Sequence, residues 1–347
     1  MGTSDFRAFP KIELHRHIPG SMRFETWLQI VRSRGVKLPS DSPEALREMM
    51  TVRDLAPLKD YLRCFEITDL AYTDSEAIET FTYEAIVDAV AERILYLELR
   101  ASPTRMAVRA GISTAQALGA MVKGRDRAQA EFGISVGLIA GLSREMGVDV
   151  CAREAETIVD FAGKGIQAID LLGNEIDYPA DWFEPIFRPI AESGRMGITI
   201  HAGESSGADA VKAAVLQLGA TRIGHGVRSE QDPAVLDLLR ERRITLEMCP
   251  TSNVQTRSAP DMPSHPLARY LRSGIRVTVN TDNPRISRVD LAHEYGLAVG
   301  VMGLTRDELV QTLHWGIDAA FAPETVRQQV RARLDAMLME QQKGSGA

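Results

Sequence analysis

The sequence predicts an α/β fold, a (β/α)8 TIM barrel, from three observations. Eight short apolar runs rich in β-branched residues recur along the chain, amphipathic helical stretches lie between most of them, and the unusual polar residues gather at the C-terminal ends of the runs. A doubly wound open sheet would show the same alternation. The polar residues favour the barrel, because there all strand ends converge on one face.

The runs, in order, are Lys11–His15, Ile94–Arg100, Ile134–Ala140, Gln167–Leu172, Ile198–His201, Arg222–His225, Ile244–Met248 and Arg276–Thr281. Near-continuous apolar content is how strands covered on both faces read. The clearest helical stretches are Ala115–Phe132, Glu154–Gly163, Ala208–Leu218 and Pro233–Arg242. No fixed-period repeat or low-complexity tract interrupts the pattern. One domain over residues 1–347 is expected, with Gln341–Ala347 (QQKGSGA) as a frayed tail.

Composition narrows the class. With 44% hydrophobic and 25% charged residues the chain can bury a large core. A formal net charge of −7 argues against a general nucleic-acid binder, which needs a basic surface. The three cysteines, Cys64, Cys151 and Cys249, are few and scattered, so they imply no disulfide framework and fit a reducing compartment. No apolar leader precedes the first strand, and no uncharged apolar run approaches the ~20 residues of a membrane helix. A soluble cytoplasmic protein with a small-molecule substrate is expected, without nucleic-acid or membrane partners.

The strand ends hold the chemistry. His15 and His17 form a HxH pair on an extended segment, so both rings point the same way. Two imidazoles on one face are a start for zinc, with His201 as a third nitrogen and Asp282 as an oxygen. Alone, HxH is as readily two packing histidines. Glu204, three residues after His201, can act as a protonated carboxyl if a dry pocket raises its pKa. Its plainer reading is a first-turn glutamate at a helix N-terminus. His225, between glycines in RIGHG, can take a proton from an attacking water, or be a core histidine bonded to a carbonyl. Glu247, ending the seventh run, is a neighbour that can orient His225, or a buried carboxylate paired with an arginine.

Taken together, PKIELHRHIPGS, YLELRASP, IDLLGNE, HAGE, RIGHG, LEMCPTSN and VTVNTDNP, spread in this order from Pro10 to Pro284, resemble the adenosine deaminase family of the amidohydrolase superfamily. The resemblance implies one zinc ion per subunit and hydrolytic loss of ammonia from an aminopurine nucleoside. It implies His15, His17, His201 and Asp282 as zinc ligands, and Glu204 as proton donor to purine N1. His225 would orient and activate the water, with Asp282 helping to hold it. Gly173 would offer its N–H to purine N3. Ser102 would lie near the substrate and Arg100 behind the ligands. Binuclear relatives carry a lysine at the end of the fourth strand, where this chain has Asp170 and Leu172, so a mononuclear site is expected.

Two departures bear on the substrate. The family usually has an acidic residue two positions after the second histidine, where it bonds a ribose hydroxyl. Here that position is Pro19, whose side chain neither donates nor accepts. This suits a nucleoside with a larger, non-hydroxyl 5′ group, such as 6-aminodeoxyfutalosine; the plainer reading is that Pro19 only shapes the loop. Asn283 stands where the family often has a second aspartate, and its amide can donate to purine N7 without a pKa shift. Arg285 is a candidate to face a 5′ substituent.

Leu58, Tyr61, Leu62 and Phe65 fall at i, i+3, i+4 and i+7, one helical face, with Asp54 placed to cap the approach. The family covers its pocket with such a helix, which would put Tyr61 and Phe65 at the 5′ end of the substrate. Ordinary core packing gives the same spacing. Three rival functions remain beside the nucleoside deaminase: an adenine deaminase acting on the free base, a non-catalytic binding protein on the same barrel, and a metal-dependent hydrolase of another amide or ester.

Overall fold

The computed structural model describes residues 6–52, 55 and 58–344. Eight strands run in sequence order around one parallel sheet: β1 Lys11–His17, β2 Ile94–Ala101, β3 Ser135–Ser143, β4 Ala168–Leu172, β5 Gly197–Ala202, β6 Arg222–His225, β7 Thr245–Met248 and β8 Arg276–Val279. Every neighbouring pair from β1 to β8 is parallel. The ring is drawn together between β8 and β1 by a bridge of Arg16 and Asp282, where His17 N–H donates to Asp282 O (2.8 Å) and Asp282 N–H to His15 O (2.9 Å). The expected barrel is the observed one.

All strand residues are buried except Ser135, Gly197 and Arg276, which begin their strands and are partly buried. The continuous apolar runs are therefore explained by helices outside and side chains inside. Outward-facing residues such as Ile12, Leu97, Leu138 and Ile200 join the helices in one hydrophobic core.

The barrel interior is not apolar. Arg222 on β6 donates to Glu98 on β2 (2.5 Å) and to Glu247 on β7 (2.6 Å). Arg100 on β2 donates to Glu247 (2.6 Å) and to Asp170 on β4 (2.7 Å). These five side chains are fully buried or nearly so, and they form one alternating ladder of charge across the barrel. Buried ions persist where each is paired and hydrogen-bonded.

The helices Thr114–Phe132, Ala208–Leu216 and Pro233–Glu241 match expectation. The next helix runs Val148–Val159, six residues earlier than expected from Glu154, because Gly147 starts it without a side-chain cap and leaves no N-terminal signal. The expected lid is two short helices, Leu58–Tyr61 and Arg63–Thr68, broken at Leu62. Asp54, expected as its cap, lies outside the described residues. The last helix runs Glu324–Gly344, into the first residues of the tail expected from Gln341, and Gln341 donates to Ala8 O (2.9 Å); residues 345–347 of that expected tail lie outside the described residues. No helix among the described residues is long and apolar enough to cross a membrane.

Candidate active site

The convergence of strand ends puts His15 and His17 (β1), His201 (β5) and Asp282 (after β8) around one point. His17 Nε2 lies 3.3 Å from both His15 Nε2 and His201 Nε2, and 3.2 Å from Asp282 Oδ1. His15 Nε2 lies 3.5 Å from the same oxygen. Four ligand atoms at ~2.0 Å from one ion, arranged as a tetrahedron, would be ~3.3 Å apart.

The other side of each ring explains why a cation fits. His15 Nδ1 is 2.8 Å from Glu247 Oε2, and His201 Nδ1 is 3.0 Å from Asp170 Oδ2. Burial pushes both carboxyls toward protonation, yet Arg100 and Arg222 hold Glu247 well below the ordinary range, and His201 and Arg100 do so for Asp170. Each ionised carboxylate takes the Nδ1–H, which leaves the Nε2 lone pairs facing one another. Burial also keeps the His17 and His201 rings below their usual pKa. Converging lone pairs and a carboxylate repel unless a metal ion joins them, so these four residues can hold a divalent ion; His15, His17 and Asp282 form one possible ligand group, and His15 and His201 form another with His225.

Glycine makes the room. A Cβ at Gly224 on β6 would stand 3.0 Å from His15 Cε1 and 3.2 Å from His201 Nδ1. Glu247 is level with Gly224 in the sheet register, so it reaches past that empty position to His15. This corrects the expectation that Glu247 orients His225. It also carries the arginine pairs of its plainer reading.

His225 is oriented by Asn253 instead. Cys249 N–H donates to Asn253 Oδ1 (3.1 Å), which turns the amide nitrogen toward His225 Nδ1 (3.0 Å). The neutral ring therefore carries its proton on Nε2, 3.6 Å from Glu204 Oε2. With its proton on that face, the ring is placed to donate to an attacking oxygen. His225 (φ +66°) and Asp282 (φ +60°) both sit in the left-handed backbone region, a strained conformation for residues with a Cβ.

Glu204 is 4% exposed. Burial first, then the nearby charges of Asp282 and Glu175, push its carboxyl well above the ordinary range, so it holds a proton near neutral pH. The helix after it starts only at Ala208, so Glu204 is not a first-turn residue. Glu175 fixes the loop: it accepts from the N–H groups of Gly203 (2.8 Å), Glu204 (2.9 Å) and Ser205 (2.7 Å). Ser252 Oγ donates to Asp282 Oδ2 (2.7 Å).

One pocket joins these groups to the expected substrate residues. His17, His201, Glu204, His225 and Asp282 line its floor, and Ser102, Gly173, Asn283 and Pro19 line its walls. Leu58, Tyr61, Leu62 and Phe65 all reach it despite the helix break. Tyr61 and Phe65 belong to a small apolar cluster with Cys64 and Ile286, separate from the main core. Tyr61 Oη lies 3.0 Å from Ser287 Oγ, and Ser102 Oγ caps the helix Pro103–Ala110. Asn283 Oδ1 lies against Gly20, with no room for a Cβ between them.

Arg285 is corrected. Its short helix, Pro284–Ser287, carries it outward to Asp88 (2.5 Å), in a different groove. The arginine that does line the pocket is Arg105, paired with Asp69 (2.6 Å). Sequence reasoning missed Arg105, Asn253, Ser252 and Glu175. The last three lie inside the quoted motifs LEMCPTSN and IDLLGNE, which is the one signal they gave.

The adenosine deaminase family model matches residues 10–337. An adenosine deaminase of Vibrio cholerae is 34% identical over 327 residues, covering 94% of this chain and 97% of its own. An adenine deaminase from Arthrobacter aurescens shares the fold, with a TM-score of 0.88 at 24% identity over 95% of this chain and 99% of its own. A Burkholderia ambifaria amidohydrolase with bound Zn has a TM-score of 0.84 at 26% identity, covering 97% and 94%.

Proposed function

The chain belongs to the adenosine deaminase family and is a deaminase hydrolase, and we propose that it removes the 6-amino group of an adenosine-type nucleoside with one zinc ion per subunit. The observation that carries this reading is the close approach of the His15, His17, His201 and Asp282 donor atoms beside a pocket whose floor also holds the buried carboxyl of Glu204 and Nε2 of His225. Residues 1–347 act as one domain.

His15, His17, His201 and Asp282 would hold the zinc, which when bound would supply a nucleophile near neutral pH by lowering the pKa of a water. His225 Nε2–H donates to the attacking oxygen and fixes its approach to C6. Glu204 gives its proton to purine N1, which removes the charge that addition would otherwise leave on the ring. Gly173 N–H meets N3 and the Asn283 amide meets N7. Water adds at C6; one of its protons leaves on ammonia as the C6–N6 bond breaks and the other restores the Glu204 carboxyl, giving the 6-oxo purine.

Pro19 on the pocket wall supports a substrate with a 5′ group other than hydroxyl, of which 6-aminodeoxyfutalosine is one. Ammonia release from adenosine, adenine, 5′-methylthioadenosine and 6-aminodeoxyfutalosine by the zinc-loaded protein tests both parts. Higher kcat/KM for the 5′-modified compounds is expected. Best turnover on adenosine removes the Pro19 reading alone; turnover of adenine only removes the nucleoside reading.

A further inference from the structure

Sugar recognition needs an acceptor, and Pro19 is not one. The wall opposite Pro19 supplies a candidate. Gly173 follows β4 with φ +103°, a conformation that favours glycine. A Cβ at Gly173 would lie 2.3 Å from Glu145 Oε2 and 2.4 Å from Oε1, so the Glu145 carboxylate stands directly over this glycine. Glu145 belongs to the single turn Arg144–Met146 that follows β3, and it lines the same pocket as Gly173 and Glu204.

The carboxylate is held in place. Ser143 Oγ donates to Oε2 (3.0 Å) and Asn174 N–H donates to Oε1 (2.7 Å). An ionised carboxylate has about four acceptor sites, so two donors leave about half of them open. The side chain is exposed at the pocket mouth rather than buried, so those sites face what enters.

On the nucleoside reading above, Gly173 N–H would meet purine N3. The ribose hydroxyl nearest N3 is the one on C2′, next to the anomeric carbon on N9. The acceptor standing over Gly173 therefore faces the 2′ edge of the sugar. We propose that Glu145 is a specificity residue that accepts a hydrogen bond from the 2′-hydroxyl of the bound ribonucleoside. This rests on the nucleoside reading given above. Recognition then sits on the β3–β4 side of the pocket, while the β1 side, at Pro19, is left free of a polar requirement.

The test is the kcat/KM ratio of ribonucleoside to 2′-deoxynucleoside, with the 5′ group kept the same: adenosine against 2′-deoxyadenosine, and 5′-methylthioadenosine against its 2′-deoxy analogue. Zinc-loaded wild type should favour the ribonucleoside by about ten-fold, the order a charge-assisted hydrogen bond supplies. Glu145→Ala should bring the ratio to within about two-fold of one. Glu145→Gln, which keeps the shape and one acceptor oxygen, should fall between. A purely structural role would lower both substrates alike and leave the ratio unmoved. A ratio near one in wild type, or the same ratio in wild type and Glu145→Ala, overturns the role of Glu145 and leaves the nucleoside reading standing. Turnover of adenine with none of any nucleoside overturns both.

Discussion

Glu247 joins the metal cluster to the interior of the barrel, and replacing it with glutamine should damage both. Its Oε2 accepts from His15 Nδ1 (2.8 Å) and Arg100 (2.6 Å), and its Oε1 from Arg222 (2.6 Å) and Thr199 (3.0 Å). A glutamine amide must turn its NH2 toward one of these pairs. Facing Thr199 and Arg222 costs least, because a hydroxyl can reverse its role, but one arginine then meets a donor and both lose the negative charge between them. Breaking a buried ion pair costs about 3–5 kcal/mol. For 347 residues at about 2.1 cal/mol/K each, the unfolding entropy is about 0.7 kcal/mol/K, so Tm should fall by about 4–7 °C. The weakened partner of His15 should also loosen zinc by about 10–100-fold. Thermal unfolding of chelator-treated protein isolates the first effect, and competition with a zinc-binding dye measures the second. A Tm within about 1 °C of wild type would refute the ladder as a stabilising element, since that shift corresponds to no more than one ordinary hydrogen bond of about 1 kcal/mol. Unchanged zinc affinity would refute its link to His15.

Glu204→Gln keeps the shape and can still donate to N1 but has no proton to transfer. kcat should fall by about 10²–10⁴ with KM little changed, and steady-state rates within about ten-fold of wild type would remove Glu204 as the acid. Glu294 is a second buried carboxyl, raised to about 8 by burial, with one oxygen accepting from Thr251 N–H (3.1 Å) and the other without a partner. It stays neutral in the fold while its unfolded counterpart ionises in the ordinary carboxylate range. Its contribution to stability is therefore full at acid pH and is lost as pH rises to about 8. Glu294→Gln should flatten the fall in Tm between pH 6 and pH 9, and parallel Tm curves for the two proteins would contradict this.

The strands were legible because a parallel barrel hides both faces, and apolar β-branched runs report that directly. The candidate metal donors were legible because HxH, HAGE and TDNP place imidazoles and a carboxylate where the strands stop. The partners of those ligands were not. A strand end says which side chain reaches the barrel mouth, but not which of seven other strands it meets there. Glu247 was assigned to adjacent His225, although the empty position of Gly224 lets it reach His15. Glu98 and Arg222 look in sequence like isolated polar positions within covered strands, and only the closed ring shows that they meet inside it. The segment expected as a lid was legible as an apolar face and not as two helices, since nothing local at Leu62 signals a break.

The charged ladder also limits what can be borrowed from this protein. Placing the three histidines and Asp282 at the rim of a different eight-stranded barrel would reproduce the donors without their foundations. In an aliphatic interior, the Nδ1 atoms of His15 and His201 would have no carboxylate to take their protons, and either ring could turn its wrong nitrogen to the ion. A working transplant would have to carry Asp170, Glu247, Arg100, Arg222 and Glu98 together, and the glycine at 224 with them. The unit of inheritance in this site is thus the whole cross-section of the barrel, of which the metal-binding residues are the topmost layer.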